Sequence, residues 1–150
     1  MAKYKTGRPG VVTMEKELLQ SKAWRSLSKS AMLVYIEFRI RCQVEGVKRQ
    51  QRRELSPLPG AIIHNNGRLV LTYKQAEEEL GITPTTFRDA IDALINRGFL
   101  KITDSGGADR TPTRYAIARD WTLYGSDTFE PERRRKREGQ IGFRRARPKT

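Results

Sequence analysis

A break at residues 81–83, between two helix-forming segments, constrains the fold of this chain more than any other feature. Thr72 is a typical helix N-cap with Gln75 three residues later, as in a capping box, and the segment YKQAEEEL that follows ends at Gly81. Pro84 opens the next segment at the first helical position, where a missing backbone N–H costs nothing. The pattern predicts two helices joined by a tight turn, in which Gly81 supplies a positive φ.

The segment after the turn predicts a helix and then a hairpin. Thr83 is the predicted N-cap and the helix covers Pro84–Arg97, with one apolar face made by Phe87, Ala90, Ile91, Leu94 and Ile95. Strands are predicted over Phe99–Asp104 and Arg114–Arg119, with a Gly- and Pro-containing tip between them and Trp121 as the closing residue. Two helices with a short turn, followed by a hairpin, predict an α+β fold of the winged helix-turn-helix class, with three or four helices and a β-hairpin wing.

The N-terminal half predicts two further helices and a long loop. Thr13 is expected to cap a short helix through Leu19, and Ser28 a longer one to about residue 43. The core candidates are Leu18, Leu19, Ala23, Trp24 and Leu27, followed by the helical stripe Ala31, Val34, Tyr35, Phe38 and Cys42. Residues 44–67 read as a loop with a turn at residues 65–67, and residues 68–71 as a short strand. The folded domain is thus predicted over residues 13–121.

Most of the net positive charge of the chain lies outside residues 68–121, a segment that is formally neutral. The sequence has 30 Lys and Arg against 17 Asp and Glu, a formal net charge of +13, whereas residues 68–121 hold eight of each kind. Most of the excess belongs to a flexible arm at residues 1–12, to the loop and to a tail at residues 122–150. Such an excess favours polyanionic partners. Phosphate contacts are expected from the basic side chains of the loop and tail: Lys48, Arg49, Arg52, Arg53, Arg133, Arg134, Arg135, Lys136, Arg137, Arg144, Arg145 and Arg147.

The same composition argues against several other functions. With one cysteine, Cys42, and one histidine, His64, the chain predicts no internal disulfide, no metal site and no catalytic triad. It has no Gly-rich phosphate loop or dinucleotide motif, so no enzymatic activity, catalytic residue or cofactor is expected. No apolar stretch is long enough to span a bilayer and no secretory signal opens the chain, so we expect a cytoplasmic protein at the nucleoid, with no membrane partner.

Two stretches resemble known proteins. GITPTTFRDAIDALINRGFLKI resembles the recognition-helix segment of bacterial winged-helix regulators of the GntR type, a likeness that covers roughly residues 69–121. LLQSKAWRSLSKSAMLVYIEF is similar to winged-helix proteins of prophages and mobile elements, including replication-initiation proteins, over about residues 13–121.

The resemblance implies a binding site for double-stranded DNA. Its recognition helix would contact the major groove through Thr83, Thr85, Thr86 and Arg88, and Asp89 could accept a hydrogen bond from cytosine N4, although Asp89 and Asp92 also repel phosphate. Pro84 stands where relatives carry Arg. The positioning helix and the wing would follow the DNA backbone through Tyr73, Lys74, Gly106, Gly107, Arg110 and Arg114.

Several functions fit this interpretation. The sequence predicts that the protein is a sequence-selective transcriptional regulator of a bacterial or mobile-element genome. A replication-initiation protein of a plasmid or phage needs the same winged helix, and an RNA-binding or architectural protein would use the Arg-rich tail. Homodimerisation stays open, because Leu18, Leu19 and Trp24 suit an interface as well as a core. No ligand-sensing domain follows the hairpin, so no small-molecule effector is expected.

Overall fold

A computed structural model of the protein describes residue 12 and residues 14–43, 63–106 and 110–132. Within these ranges the architecture is α+β, as predicted, with five α-helices and one antiparallel hairpin. In chain order the elements are α1 (Lys16–Gln20), α2 (Lys22–Arg25), α3 (Lys29–Arg41), α4 (Tyr73–Leu80), α5 (Pro84–Asn96), β1 (Leu100–Asp104), β2 (Arg114–Ile117) and a closing 3₁₀ helix (Asp120–Leu123). No helix in the described ranges is both long enough and apolar enough to cross a lipid bilayer.

The predicted capping residues define where the longer helices begin and end. Ser28 accepts a hydrogen bond from the backbone N–H of Ala31, and α3 runs from Lys29 to Arg41, slightly shorter than predicted. The capping box before α4 is confirmed, since the Thr72 hydroxyl accepts from the Gln75 N–H and the Gln75 side chain accepts from the Thr72 N–H. These local bonds satisfy backbone donors that the first turn of a helix leaves without partners.

The core lies between α3 and α5, and it extends to the base of the hairpin. The predicted apolar faces of both helices are buried: Ala31, Val34, Tyr35 and Phe38 on α3, and Phe87, Ala90, Ile91, Leu94 and Ile95 on α5. Cys42 is half-buried at the edge of the same cluster. Four aromatic rings join α2, α3 and the hairpin. The ring centroid of Phe99 lies 6.0 Å from that of Trp24, 5.4 Å from that of Tyr35 and 6.1 Å from that of Trp121. Trp121 therefore closes the core, as the sequence predicts.

The start of the chain differs from the prediction. The first helix begins at Lys16 after Glu15, and Thr13, the predicted cap, lies outside the described residues. Leu19 is 41% exposed, so its assignment to the core is wrong. The reason is the short length of α1. The chain leaves the helix at Ser21, whose hydroxyl accepts from the Trp24 N–H at 3.1 Å and starts α2, so only Leu18 of α1 faces the core.

The predicted strand at residues 68–71 is reduced to one β-bridge between Leu69 and Tyr115. The Asn66 side chain makes the pairing that another strand residue would make. Its Oδ1 accepts from the Ile117 N–H at 2.7 Å, and its Nδ2 donates to the Ile117 carbonyl at 3.2 Å. Because a turn precedes Leu69 and Thr72 starts a helix, too little chain is left for a full strand. The two hairpin strands are also shorter than predicted, since β1 begins at Leu100 and β2 ends at Ile117.

Candidate nucleic-acid interface

The turn between α4 and α5 sets the direction of α5. Gly81 adopts a φ of 66°, in the left-handed region, and its N–H donates to the Glu77 carbonyl, which ends α4. Ile82 is partly buried against the core and so fixes the angle between the two helices. At the opposite end of α4, the Tyr73 ring stands edge-on to Phe87, with centroids 5.1 Å apart. The beginnings of α4 and α5 are therefore held side by side.

The first turn of α5 is exposed, but its threonines have different roles. The Thr83 hydroxyl accepts from the Thr86 N–H at 3.2 Å and donates to the Thr86 hydroxyl at 2.9 Å, so Thr83 is a capping residue. Thr86 is half-buried and keeps its own hydroxyl proton for a further acceptor. Thr85 is exposed. Of the three predicted threonine contacts, Thr85 and Thr86 are the ones that this geometry leaves free for a ligand.

Arg88 and Asp89 lie on the exposed surface just beyond that turn. Their side chains are 55% and 66% exposed, and the Arg88 guanidinium is 3.5 Å from Asp89 Oδ1. An ion pair this long between exposed side chains contributes little to stability, because water screens it. Arg88 can leave the pair at little cost when a stronger acceptor such as a phosphate or a guanine edge is offered.

The first turn of α4 presents the other predicted helical contacts. The Tyr73 side chain is held by Phe87 while the residue stays 45% exposed. Lys74 Nζ lies 3.8 Å from Glu78, and the two side chains are 82% and 63% exposed. Lys74 is thus an almost free cation in the first turn of α4.

The hairpin tip is organised by contacts among its own residues. Gly106 adopts a φ of 66° and its N–H donates to Asp104 Oδ1 at 3.1 Å. A Cβ at this position would overlap the Thr111 carbonyl oxygen, so Gly106 is required for the two sides of the tip to approach. Arg110, with a φ of 60°, and Arg114 are both exposed. The tip therefore offers two cations next to a backbone that carries no side chain at Gly106.

The remaining predicted contacts lie outside the described residues. They are Gly107 and the cations of the loop and the tail: Lys48, Arg49, Arg52, Arg53, Arg133, Arg134, Arg135, Lys136, Arg137, Arg144, Arg145 and Arg147. Within the described ranges, no three His, Cys, Asp or Glu side chains are grouped so that they could hold a metal ion.

Two residues that were not predicted from the sequence, Asn65 and Arg41, connect α3 to the segment that carries α4. Asn65 accepts from the Gln43 N–H at 2.8 Å and donates to the Arg41 carbonyl at 2.9 Å, which ties the turn before α4 to the end of α3. Arg41 also contacts Glu37 at 3.1 Å and Glu79 at 2.8 Å, and so links α3 to α4. Burial raises the pKa of Glu37, and the Arg41 guanidinium partly opposes that rise. The Asn-Asn-Gly turn was a visible signal in the sequence, but the long-range partners of its side chains were not.

No protein-family model, curated protein or solved structure matches this chain.

Proposed function

We propose that this protein is a winged helix-turn-helix DNA-binding protein, and that it acts as a sequence-selective transcriptional regulator. The observation that carries the proposal is the exposed first turn of α5, where Thr85, Thr86 and Arg88 project from a helix whose opposite face is buried. A helix of this kind, packed on a second helix across a three-residue turn, suits entry into the major groove of a duplex.

The neighbouring cations support the same function. Lys74 at the start of α4, and Arg110 and Arg114 at the hairpin, would neutralise phosphates on either side of the groove that receives α5. The tail beyond residue 132 carries nine Lys or Arg and one acid, which suits non-specific attraction to the same polyanion. In this mechanism α5 supplies selectivity, whereas the basic segments supply most of the affinity.

The test is selection of bound sequences from a random DNA pool, with a random RNA pool run in parallel on the full chain. A regulator should enrich a defined DNA motif, symmetric if two copies bind together. Directly repeated sites would favour the replication initiator instead, and enrichment confined to RNA would favour the RNA-binding alternative. An Arg88→Ala variant that enriches the same motif with the same strength would contradict the assignment of α5 as the reading helix.

A further inference from the structure

A second basic surface lies at the opposite end of α5. Arg97, the residue after α5, donates from Nε to the Ser26 hydroxyl at 2.7 Å and from Nη2 to the Ser26 carbonyl at 3.4 Å. This contact joins residues 71 positions apart and places a guanidinium beside α2. Lys22 lies one helical turn before Ser26, and Arg25 and Lys29 flank it. We call Lys22, Arg25, Lys29 and Arg97 the Ser26 patch.

The sequence around the Ser26 patch is rich in cations and carries no acid. Residues 18–36 contain three Lys or Arg and no Asp or Glu. The ion pairs found among the described residues do not involve Lys22, Arg25, Lys29 or Arg97. The first three side chains are exposed. The patch is therefore a concentration of cations that form no ion pair among the described residues, with Arg97 held in place by its hydrogen bonds to Ser26.

The apolar side chains between Lys22 and Lys29 point inward. Trp24 and Leu27, which alternate with the cations, are 8% and 7% exposed because they belong to the core. A protein-docking surface is usually centred on aromatic or aliphatic anchors, and this segment offers none between Lys22 and Lys29. Exposed cations with no such anchor among them suit a row of phosphates better than a protein partner.

The position of the patch separates it from the candidate interface. The 13 residues of α5 span ~20 Å, from Pro84 to Asn96. A major groove is ~8.5 Å deep, so a helix that enters it by its first turn leaves its last turns outside the duplex. The Ser26 patch therefore lies at the opposite end of α5 from Thr85 and Arg88, about one helix length away.

From this geometry we infer that the Ser26 patch binds the phosphate backbone of a second DNA duplex, so that one protein molecule holds two DNA segments. The inference rests on the proposed function, because the first duplex is the one bound by α5. It adds a sequence-independent contact at the other end of the helix, whose strength should fall with rising salt.

The experiment uses the full chain and two copies of the selected DNA site. One duplex is immobilised and the other carries a fluorophore, and the fluorescence captured through the protein is measured. Binding to the fluorescent duplex alone is measured in parallel by anisotropy. The patch variant is Lys22→Glu/Lys29→Glu. Both residues are the first of a helix, where an acid suits the helix dipole, so folding should be preserved.

The control variant is Lys16→Glu/Arg68→Glu, which changes the net charge equally at two other exposed positions, one of them again the first residue of a helix. We expect wild type and control to capture the second duplex and the patch variant to lose that capture to background. Single-duplex affinity of the patch variant should fall no further than that of the control.

Three results would overturn the inference while the proposed function stands: wild type binds one duplex but captures no second, the patch variant captures as the control does, or it loses single-duplex affinity beyond the control. If a labelled single-stranded RNA is captured through the patch in place of the duplex, the partner is RNA and the inference is wrong. Failure of wild type to bind any duplex would instead refute the proposed function itself.

Discussion

Tyr73 and Phe87 hold the beginnings of α4 and α5 together through one edge-to-face contact, with centroids 5.1 Å apart and ring planes at 77°. Phe87 is buried, whereas Tyr73 is 45% exposed, so one ring serves the core and the other lies at the surface. The pair connects the packing of the helices to the orientation of the proposed DNA-binding turn.

This contact predicts that two substitutions of Tyr73 will separate its roles. Tyr73→Ala should destabilise the fold by at least about 0.5–1.5 kcal/mol, because the aromatic pair contributes that much beyond the loss of buried ring area. Tyr73→Phe keeps the ring, so urea unfolding should be unchanged. If the hydroxyl contacts a phosphate, the Phe variant should bind DNA more weakly, and equally so on selected and random duplexes. Unchanged affinity for both duplexes would remove Tyr73 from the interface.

The left-handed backbone at Gly81 predicts that any side chain there will moderately lower the free energy of unfolding. Nothing lies within 4 Å of a Cβ at this position, so Gly81→Ala should cost only the backbone strain, about 1–2 kcal/mol, and Gly81→Asn less. Gly98→Ala is the comparison, since its Cβ would lie 2.6 Å from the Asp120 carbonyl carbon and the Trp121 nitrogen. Strain and overpacking at Gly98 should each cost about 1–3 kcal/mol. In urea denaturation the free energy of unfolding of Gly98→Ala should therefore be well below that of Gly81→Ala. The reverse order would contradict this account of the turn.

The exposed Arg88–Asp89 pair predicts opposite effects of its two members on DNA binding. Arg88→Ala should weaken binding to a selected site by about 1–3 kcal/mol if Arg88 reads a base. An equal loss on random DNA would assign it to a phosphate. Asp89→Asn should strengthen binding on every sequence, because it removes a carboxylate near phosphates and releases Arg88. A loss confined to sites with one particular cytosine would show instead that Asp89 reads that base.

The tail predicts a change in salt dependence rather than in selectivity. Each phosphate that the protein neutralises adds about −0.9 to the slope of log K against log salt concentration. Removing residues 133–150, which carry nine Lys or Arg, should flatten that slope by several units and leave the base preference unchanged. Circular dichroism of the shortened chain checks that it stays folded. A slope equal to that of the full chain would mean that the tail does not contact DNA.

The raised pKa of Glu37 predicts a pH-dependent effect of its neutralisation. Burial is the larger cause of the rise, so ionised Glu37 is less favourable in the folded state than in the unfolded state. A folded pKa above the ordinary value makes this group oppose folding at neutral pH, and the opposition fades as the pH falls through the folded pKa. Glu37→Gln should therefore be more favourable to stability at pH 7 than at pH 3. Urea unfolding at both values tests this, and a difference of the opposite sign would mean that the contact with Arg41 outweighs burial.

The α4–turn–α5 unit could be predicted almost to the residue because its signals are local. Each signal acts within four residues of its own position. The signals are the Thr72–Gln75 capping box, the glycine at residue 81, and Thr83 followed by Pro84. The apolar stripes on α3 and α5 could be predicted for the same reason, because the helical period is visible over neighbouring turns. What the pattern of α5 could not show is that the Thr83 hydroxyl is occupied by Thr86, which leaves fewer free donors than the sequence suggests.

The missed features depend on partners far away in the chain. The bridge in place of a strand exists because Asn66 pairs with Ile117, 51 residues on, and the Ser26 patch exists because Arg97 reaches α2. Leu19 is exposed because the chain turns at Ser21, and a serine between two helical patterns is a weak local signal. No periodicity encodes such contacts, so they appear only when the chain is folded.

The hydrogen bond from the His64 N–H to the Gln43 carbonyl, at 2.8 Å, joins the two ends of the stretch between them. Because Asn65 also accepts a hydrogen bond from the Gln43 N–H, Gln43 and residues 64–65 form a closed neck between α3 and the turn before α4. Lengthening a closed loop is inexpensive, about 0.6 kcal/mol for each doubling. The neck is thus a natural place for insertions, where evolution or an engineer could exchange one basic segment for another without rebuilding the core.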